Sequence, residues 1–171
     1  MGGKVYLVGI GPGSFEHMTH KAADTLRNVQ VAVGHETSLD LIREIIFGKE
    51  VISGEMTPID RAKVAVEEAL KGKVVAIVSI GDPGIYAIAS QFFGHLKERE
   101  LRVDVEIVPG VTAANAAAAL LGSPLGHDFA AISIGDLAIP WKVIERRLEL
   151  AAKADFVVVL YNPRSMEGDW R

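Results

Sequence analysis

Continuous apolar runs and helically spaced runs alternate along all 171 residues of the chain. Residues 4–10 (KVYLVGI) read as a buried strand that ends in a glycine-rich turn. Residues 19–28 have helical spacing through Ala22, Ala23 and Leu26, and 29–33 (VQVAV) form a second strand. A short helix is predicted over 39–46, with Leu41, Ile42, Ile45 and Ile46 on one face, then a short third strand over 50–53. Residues 59–70 are amphipathic and stop near Gly72, a C-cap glycine. The run 73–80 (KVVAIVSI) has no polar face, as a strand covered on both sides requires, so it belongs at the centre of a parallel sheet. Residues 84–100 are mostly helix. Over 103–108 the pattern switches to alternation, with Val103, Val105 and Ile107 inward and Asp104 and Glu106 outward, which suits a sheet edge. An alanine-rich helix over 112–121 would take Thr112 as its N-cap.

The segment 122–128 (GSPLGHD) combines Gly, Pro and small polar residues and reads as a linker. Strand 129–134, helix 141–153 and strand 156–160 follow, a single βαβ unit. The expected fold class is α/β: residues 1–121 as an open, mostly parallel five-stranded sheet with helices on both faces, and 129–171 as the incomplete start of a second α/β domain. One βαβ unit cannot cover both of its faces, so further chain or a partner is expected against it.

Composition narrows the functional classes. Apolar residues make up 49% of the chain and the net charge is −4, with no Lys/Arg cluster, which argues against a nucleic-acid partner. Without cysteine there is no thiolate nucleophile, disulfide or Cys-bound metal. The first strand starts at Lys4 with no signal-peptide pattern before it, and no apolar run reaches membrane-spanning length, so a cytoplasmic protein is expected.

Three turns stand out, after the first, fourth and fifth strands. In an open parallel sheet all three lie at the carboxyl edge, where ligands bind. The first, Gly9-Ile-Gly11-Pro12-Gly13-Ser14, suits close backbone approach. It is either a tight turn or a dinucleotide loop, but Ser14 stands where G-x-G-x-x-G needs its third glycine, and Glu36 is the only weak candidate for a ribose contact. The second, Gly81-Asp82-Pro83-Gly84-Ile85-Tyr86, presents Asp82 either as a ligand acceptor or as a helix cap. The third, Pro109-Gly110-Val111-Thr112-Ala113-Ala114-Asn115, leaves room for a flat ligand, or for close helix–sheet packing.

Taken together, YLVGIGPGS, SIGDPGIYA and VPGVTAANAAAA resemble the tetrapyrrole methylase family, over 5–163. The stretches LLGSPLGHDFAAISIGDLAIPW and DFVVVLYNPRS are similar to its precorrin-3B C-17 methyltransferase branch, which methylates and contracts a corrin precursor. The resemblance implies S-adenosylmethionine as methyl donor, S-adenosylhomocysteine as product, a small tetrapyrrole substrate and a homodimer. It implies donor contacts at Pro12, Ile80, Gly81, Asp82, Ile85, Thr112, Ala113 and Tyr161, and a macrocycle trough above Gly9, Gly11, Gly13 and Ser14. The chain departs from the branch pattern at His35, Ile80, Ala87, Gly135 and Ala138.

Methyl transfer from a sulfonium needs alignment more than a protein nucleophile. Asp82 and His35 are the weak candidates for a base. His17 and His20, three apart on one expected helix face, lack a third metal ligand, and Lys21, Arg43 or Arg164 could hold macrocycle carboxylates. The competing readings are a sibling precorrin methylase, a truncated binding module without catalysis, and a nicotinamide-dependent oxidoreductase.

Overall fold

A computed structural model describes residues 2–135 and 139–163. The chain divides into two compact units, Met1–Ala113 and Ala114–Arg171.

The first unit is a parallel sheet of β1 (Lys4–Gly9), β2 (Val31–Val33), β3 (Glu50–Ile52), β4 (Val74–Ser79) and β5 (Asp104–Val108), in the order β3-β2-β4-β1-β5. The all-apolar run became β4, the middle strand, as its lack of a polar face requires. Successive strand residues feed opposite cores. Val5, Leu7, Val75 and Ile77 pack with Ala62, Ala65, Val66 and Ala69 of α3 (Pro58–Leu70) and with Ile88, Ala89 and Phe92 of α4 (Ile88–Glu98). On the other face Val8, Ala76 and Val78 pack with Ala22 and Leu26 of α1 (His20–Asn28) and with Leu39 of α2 (Glu36–Asp40). The doubly covered α/β sheet is thus the expected one.

Local chemistry sets the helix ends. The Thr19 hydroxyl caps α1 by accepting from the Ala22 N–H at 3.1 Å. Thr57 and Asp60 form a reciprocal capping box at the start of α3. Gly72, at φ +90°, follows α3, where its N–H and that of Lys73 bond the Ala69 and Glu68 carbonyls.

Three expectations change. The helix expected over 39–46 is displaced: α2 ends at Asp40, and the bonds that follow are mostly three-residue turns such as Ile45 N–H to Ile42 O at 2.9 Å. Ile42 and Ile46 are still buried, so their spacing reported a core-facing side and not a continuous α-helix. Helix α4 starts at Ile88, four residues later than expected, because Tyr86 has φ +49° and Ala87 is extended. On β5, Ile107 is 40% exposed and Val108 is fully buried, reversing the inward assignment at the strand's end.

In the second unit β6 (Phe129–Ser133) and β7 (Val157–Tyr161) pair in parallel, joined by α6 (Trp141–Lys153), as the βαβ pattern predicts. Ile132, Ile144 and Ala151 form its small core. Helix α5 (Ala113–Leu120) begins at the boundary of the two units and ends in a turn where Gly122 and Ser123 both take positive φ. The expected linker over 122–128 therefore begins as the C-terminal turn of α5.

Candidate functional site

The three turns meet at the carboxyl edge of the first unit's sheet. The first two are joined by a pair of backbone hydrogen bonds: Gly11 N–H to Gly81 O at 3.2 Å and Gly81 N–H to Gly11 O at 2.8 Å. The Gly81 carbonyl is wedged between Gly9 and Gly110. A Cβ on Gly9 would lie 2.6 Å from that oxygen and 2.7 Å from the Gly110 nitrogen, and one on Gly110 would strike the same oxygen and the Gly9 carbonyl group. Only glycine fits at these two positions, because the obstacles are backbone atoms that cannot turn aside. Gly81 has φ +72°, and its vacant Cβ position faces the Thr112 Cα and Ala113 nitrogen at 3.9 Å.

The structure therefore brings Gly9, Gly11, Gly81, Asp82, Thr112 and Ala113 into one cluster. Around it Pro12 is exposed, and Ile80, Ile85 and Tyr86 are 46%, 44% and 50% exposed, leaving apolar surface beside backbone groups. The Asp82 carboxylate points inward among the turns. Its Oδ1 accepts from the Gly84 N–H at 2.7 Å and its Oδ2 from the Gly110 N–H at 3.0 Å. The helix-cap reading fails in its details, since α4 starts at Ile88 with Ala87 as its N-cap.

The remaining site candidates lie further out. Gly13 approaches Leu41, whose side chain would be 3.3 Å from an added Cβ, and the Ser14 hydroxyl pairs with His17 Nδ1 at 2.6 Å. His35 stands in the loop after β2 as the N-cap of α2, where its Nδ1 accepts from the Thr37 N–H at 3.3 Å. Tyr161 is the last residue of β7, within the strand and not past it, and its hydroxyl accepts from the Ala114 N–H at 3.1 Å within the second unit. Sequence reasoning missed Gly110: Pro109-Gly110 signals a turn, but nothing local signals a three-way backbone contact.

The glycine-rich turn does not open a helix. A 3-10 turn (Phe15–His17) intervenes before α1, so the helix start that holds a pyrophosphate in dinucleotide folds is displaced from the glycines. His17 sits in that turn and His20 opens α1, so the two do not share a helix face; among the described residues no group of three metal ligands occurs. The basic candidates are engaged in ion pairs. Arg43 pairs with Asp40 at 2.6 Å, and Lys21 pairs with Glu106, which also holds Lys4 at 2.8 Å. Lys21 and then Lys4 hold the Glu106 carboxyl down to about 2. Arg164 and Ala138 lie outside the described residues. No helix among them is long and apolar enough to cross a membrane.

A doubly covered parallel sheet with three interlocked glycine turns at its carboxyl edge defines a small-ligand α/β protein. The family model for tetrapyrrole (corrin/porphyrin) methylases matches residues 4–171, and the chain belongs to that family. It is 42% identical over 170 residues to the cobalt-factor III methyltransferase of Priestia megaterium, covering 96% of this chain and 32% of that protein. It is 42% identical over 174 residues to the precorrin-3B C(17)-methyltransferase of a Sinorhizobium species, covering 100% of this chain and 68% of the relative. The crystal structure of the methyltransferase CobJ superposes with a TM-score of 0.88 at 39% identity, covering 95% of this chain and 69% of that one. A uroporphyrin-III C-methyltransferase from Thermus thermophilus, solved in complex with S-adenosylhomocysteine, gives 0.62 at 28% identity, covering 77% and 56%. The chain thus spans between about a third and two thirds of the length of these relatives.

Proposed function

We propose that this chain supplies the donor-binding part of an S-adenosylmethionine-dependent methyltransferase acting on C-17 of a corrin precursor, precorrin-3B or its cobalt-bearing counterpart, with ring contraction, in cobalamin synthesis. The observation that carries the reading is the interlock of the Gly9–Gly11, Gly81–Asp82 and Gly110–Ala113 turns, together with relatives named as a cobalt-factor III methyltransferase and a precorrin-3B C(17)-methyltransferase.

The residues fit such a donor. Turns without side chains at their contact points let a nucleoside approach the backbone, and the half-exposed Ile80 and Ile85 offer apolar surface for an adenine or thioether. Pro12, Ile80, Gly81, Ile85, Thr112 and Ala113 would hold it. When bound, the donor supplies an electrophilic methyl group on a sulfonium. The chain's part is orientation and exclusion of water, which can provide on the order of 7–11 kcal/mol of the barrier. Gly9, Gly11, Gly13 and Ser14 would border the macrocycle. The reading carries with it a cytoplasmic setting and a homodimer. The half-exposed Phe129 and Leu160 of the second unit support the dimer, and sedimentation would test it.

Calorimetric titration with S-adenosylhomocysteine tests the assignment. Micromolar binding is expected, with Thr112→Val weakening it by about 1–3 kcal/mol, the cost of an unpaired polar partner. No heat with S-adenosylhomocysteine but saturable heat with NADH would overturn it in favour of an oxidoreductase.

A further inference from the structure

We propose that Asp82 is a positioning residue: its carboxylate clasps the third turn to the second and so sets the affinity for the methyl donor. This rests on the donor reading above.

The two joints of the site are chemically unlike. The first and second turns are held by two backbone hydrogen bonds between Gly11 and Gly81, which no side chain controls. The second turn reaches the third through the Asp82 carboxylate, whose Oδ2 accepts from the N–H of Gly110, 28 residues further along the chain. The same carboxylate folds its own turn, since Oδ1 accepts from Gly84 N–H at 2.7 Å. Hydrogen bonds to an ionised oxygen are roughly twice as strong as neutral ones, so one side chain can hold both loops.

The setting leaves this carboxylate little freedom. Its neighbour Gly81 is locked between Gly9 and Gly110, and Pro83 on the other side is buried and has a fixed φ. Each of its oxygens accepts from a backbone N–H of the protein, one in its own turn and one in the third. Thr112 and Ala113, which stand beside Gly81, follow Gly110 by two and three residues, so a clasp at Gly110 bears on their placement.

The test is amide hydrogen exchange by NMR on ligand-free wild type and Asp82→Asn, paired with calorimetry. The asparagine keeps one acceptor oxygen and presents an NH2 group to the other N–H, so it cannot serve both loops. Gly110 should exchange about tenfold faster in the variant or more, while Gly11 and Gly81 keep their protection and S-adenosylhomocysteine binds roughly tenfold more weakly. Weaker binding with Gly110 protection intact would make Asp82 a direct ligand and overturn the proposal. So would unchanged exchange and unchanged binding. If the variant does not fold, wild type decides: the Gly110 amide should be protected from exchange alongside those of Gly11 and Gly81, and rapid exchange at Gly110 overturns the clasp. Failure of wild type to bind S-adenosylhomocysteine would sink the donor reading, whereas the exchange data judge the clasp itself.

Discussion

The first unit sets five parallel strands between two helical layers, while the second pairs two parallel strands through one helix. Both are built from the same βαβ connection. In the first, Val5, Leu7, Val8, Val75 and Ala76 are wholly buried. In the second, Phe129 and Leu160 are 48% and 50% exposed. The contrast teaches that the βαβ connection fixes direction and pairing but not stability. A parallel strand becomes secure only when apolar cover lies on both of its faces.

The largest effect should come from the core itself. Phe92→Ala, at a fully buried site between α4 and the sheet, should cost about 3–5 kcal/mol. In native-state hydrogen exchange it should lower the protection of β1 and β4 and leave the lesser protection of β6 and β7 unchanged. Equal protection of the two sheets in the wild type would break the comparison.

A second pair of substitutions sharpens it within the first unit. Gly110→Ala drives a methyl group into backbone atoms and should destabilise by roughly 1–3 kcal/mol in urea denaturation. Gly94→Ala, in mid-α4 with nothing near its Cβ position, should stabilise by about 0.5–1 kcal/mol. Equal costs for the two would show that the turn interlock is no tighter than an open helix surface.

The smallest effect concerns the edge strand. Lys4 of β1 and Lys21 of α1 both hold Glu106 of β5, whose carboxyl is held down at about 2. Such a group stabilises the fold fully above the ordinary glutamate value of about 4.3 and loses that contribution as pH falls toward about 2. Glu106→Gln should therefore lower the urea midpoint at pH 6, with the gap to wild type closing between pH 4 and pH 2. A gap that does not change with pH would remove the ion pairs from the account.

Much of the fold could be read in the residues, because burial writes itself locally. The run Val74–Ser79 has no polar face, and such a strand has no place but the middle of a parallel sheet. The turn residues also announced themselves, since glycine and proline constrain the backbone wherever they stand. What stayed hidden depends on distant chain. Glu106 reads as a solvated edge charge until Lys4, 102 residues earlier, is placed beside it. Ile107 fits the inward alternation, yet the cover over that face gives out before the strand does. Periodicity at Ile42 and Ile46 showed which side faces the core but could not distinguish an α-helix from a stack of turns. For the site, residue types named the turns, but only the three-dimensional approach of Gly9, Gly81 and Gly110 shows why they act as one object.

The strand order also fixes a sequence of events during synthesis. Both neighbours of β1 lie downstream: Lys4 pairs with Val74 and with Asp104. At about 5–20 residues per second, β1 waits roughly 4–14 s after leaving the ribosome before its nearer neighbour has even been made. Through that interval the apolar β1 is without either of its sheet neighbours, so this sheet should be most open to chaperones or to misassembly before β4 emerges.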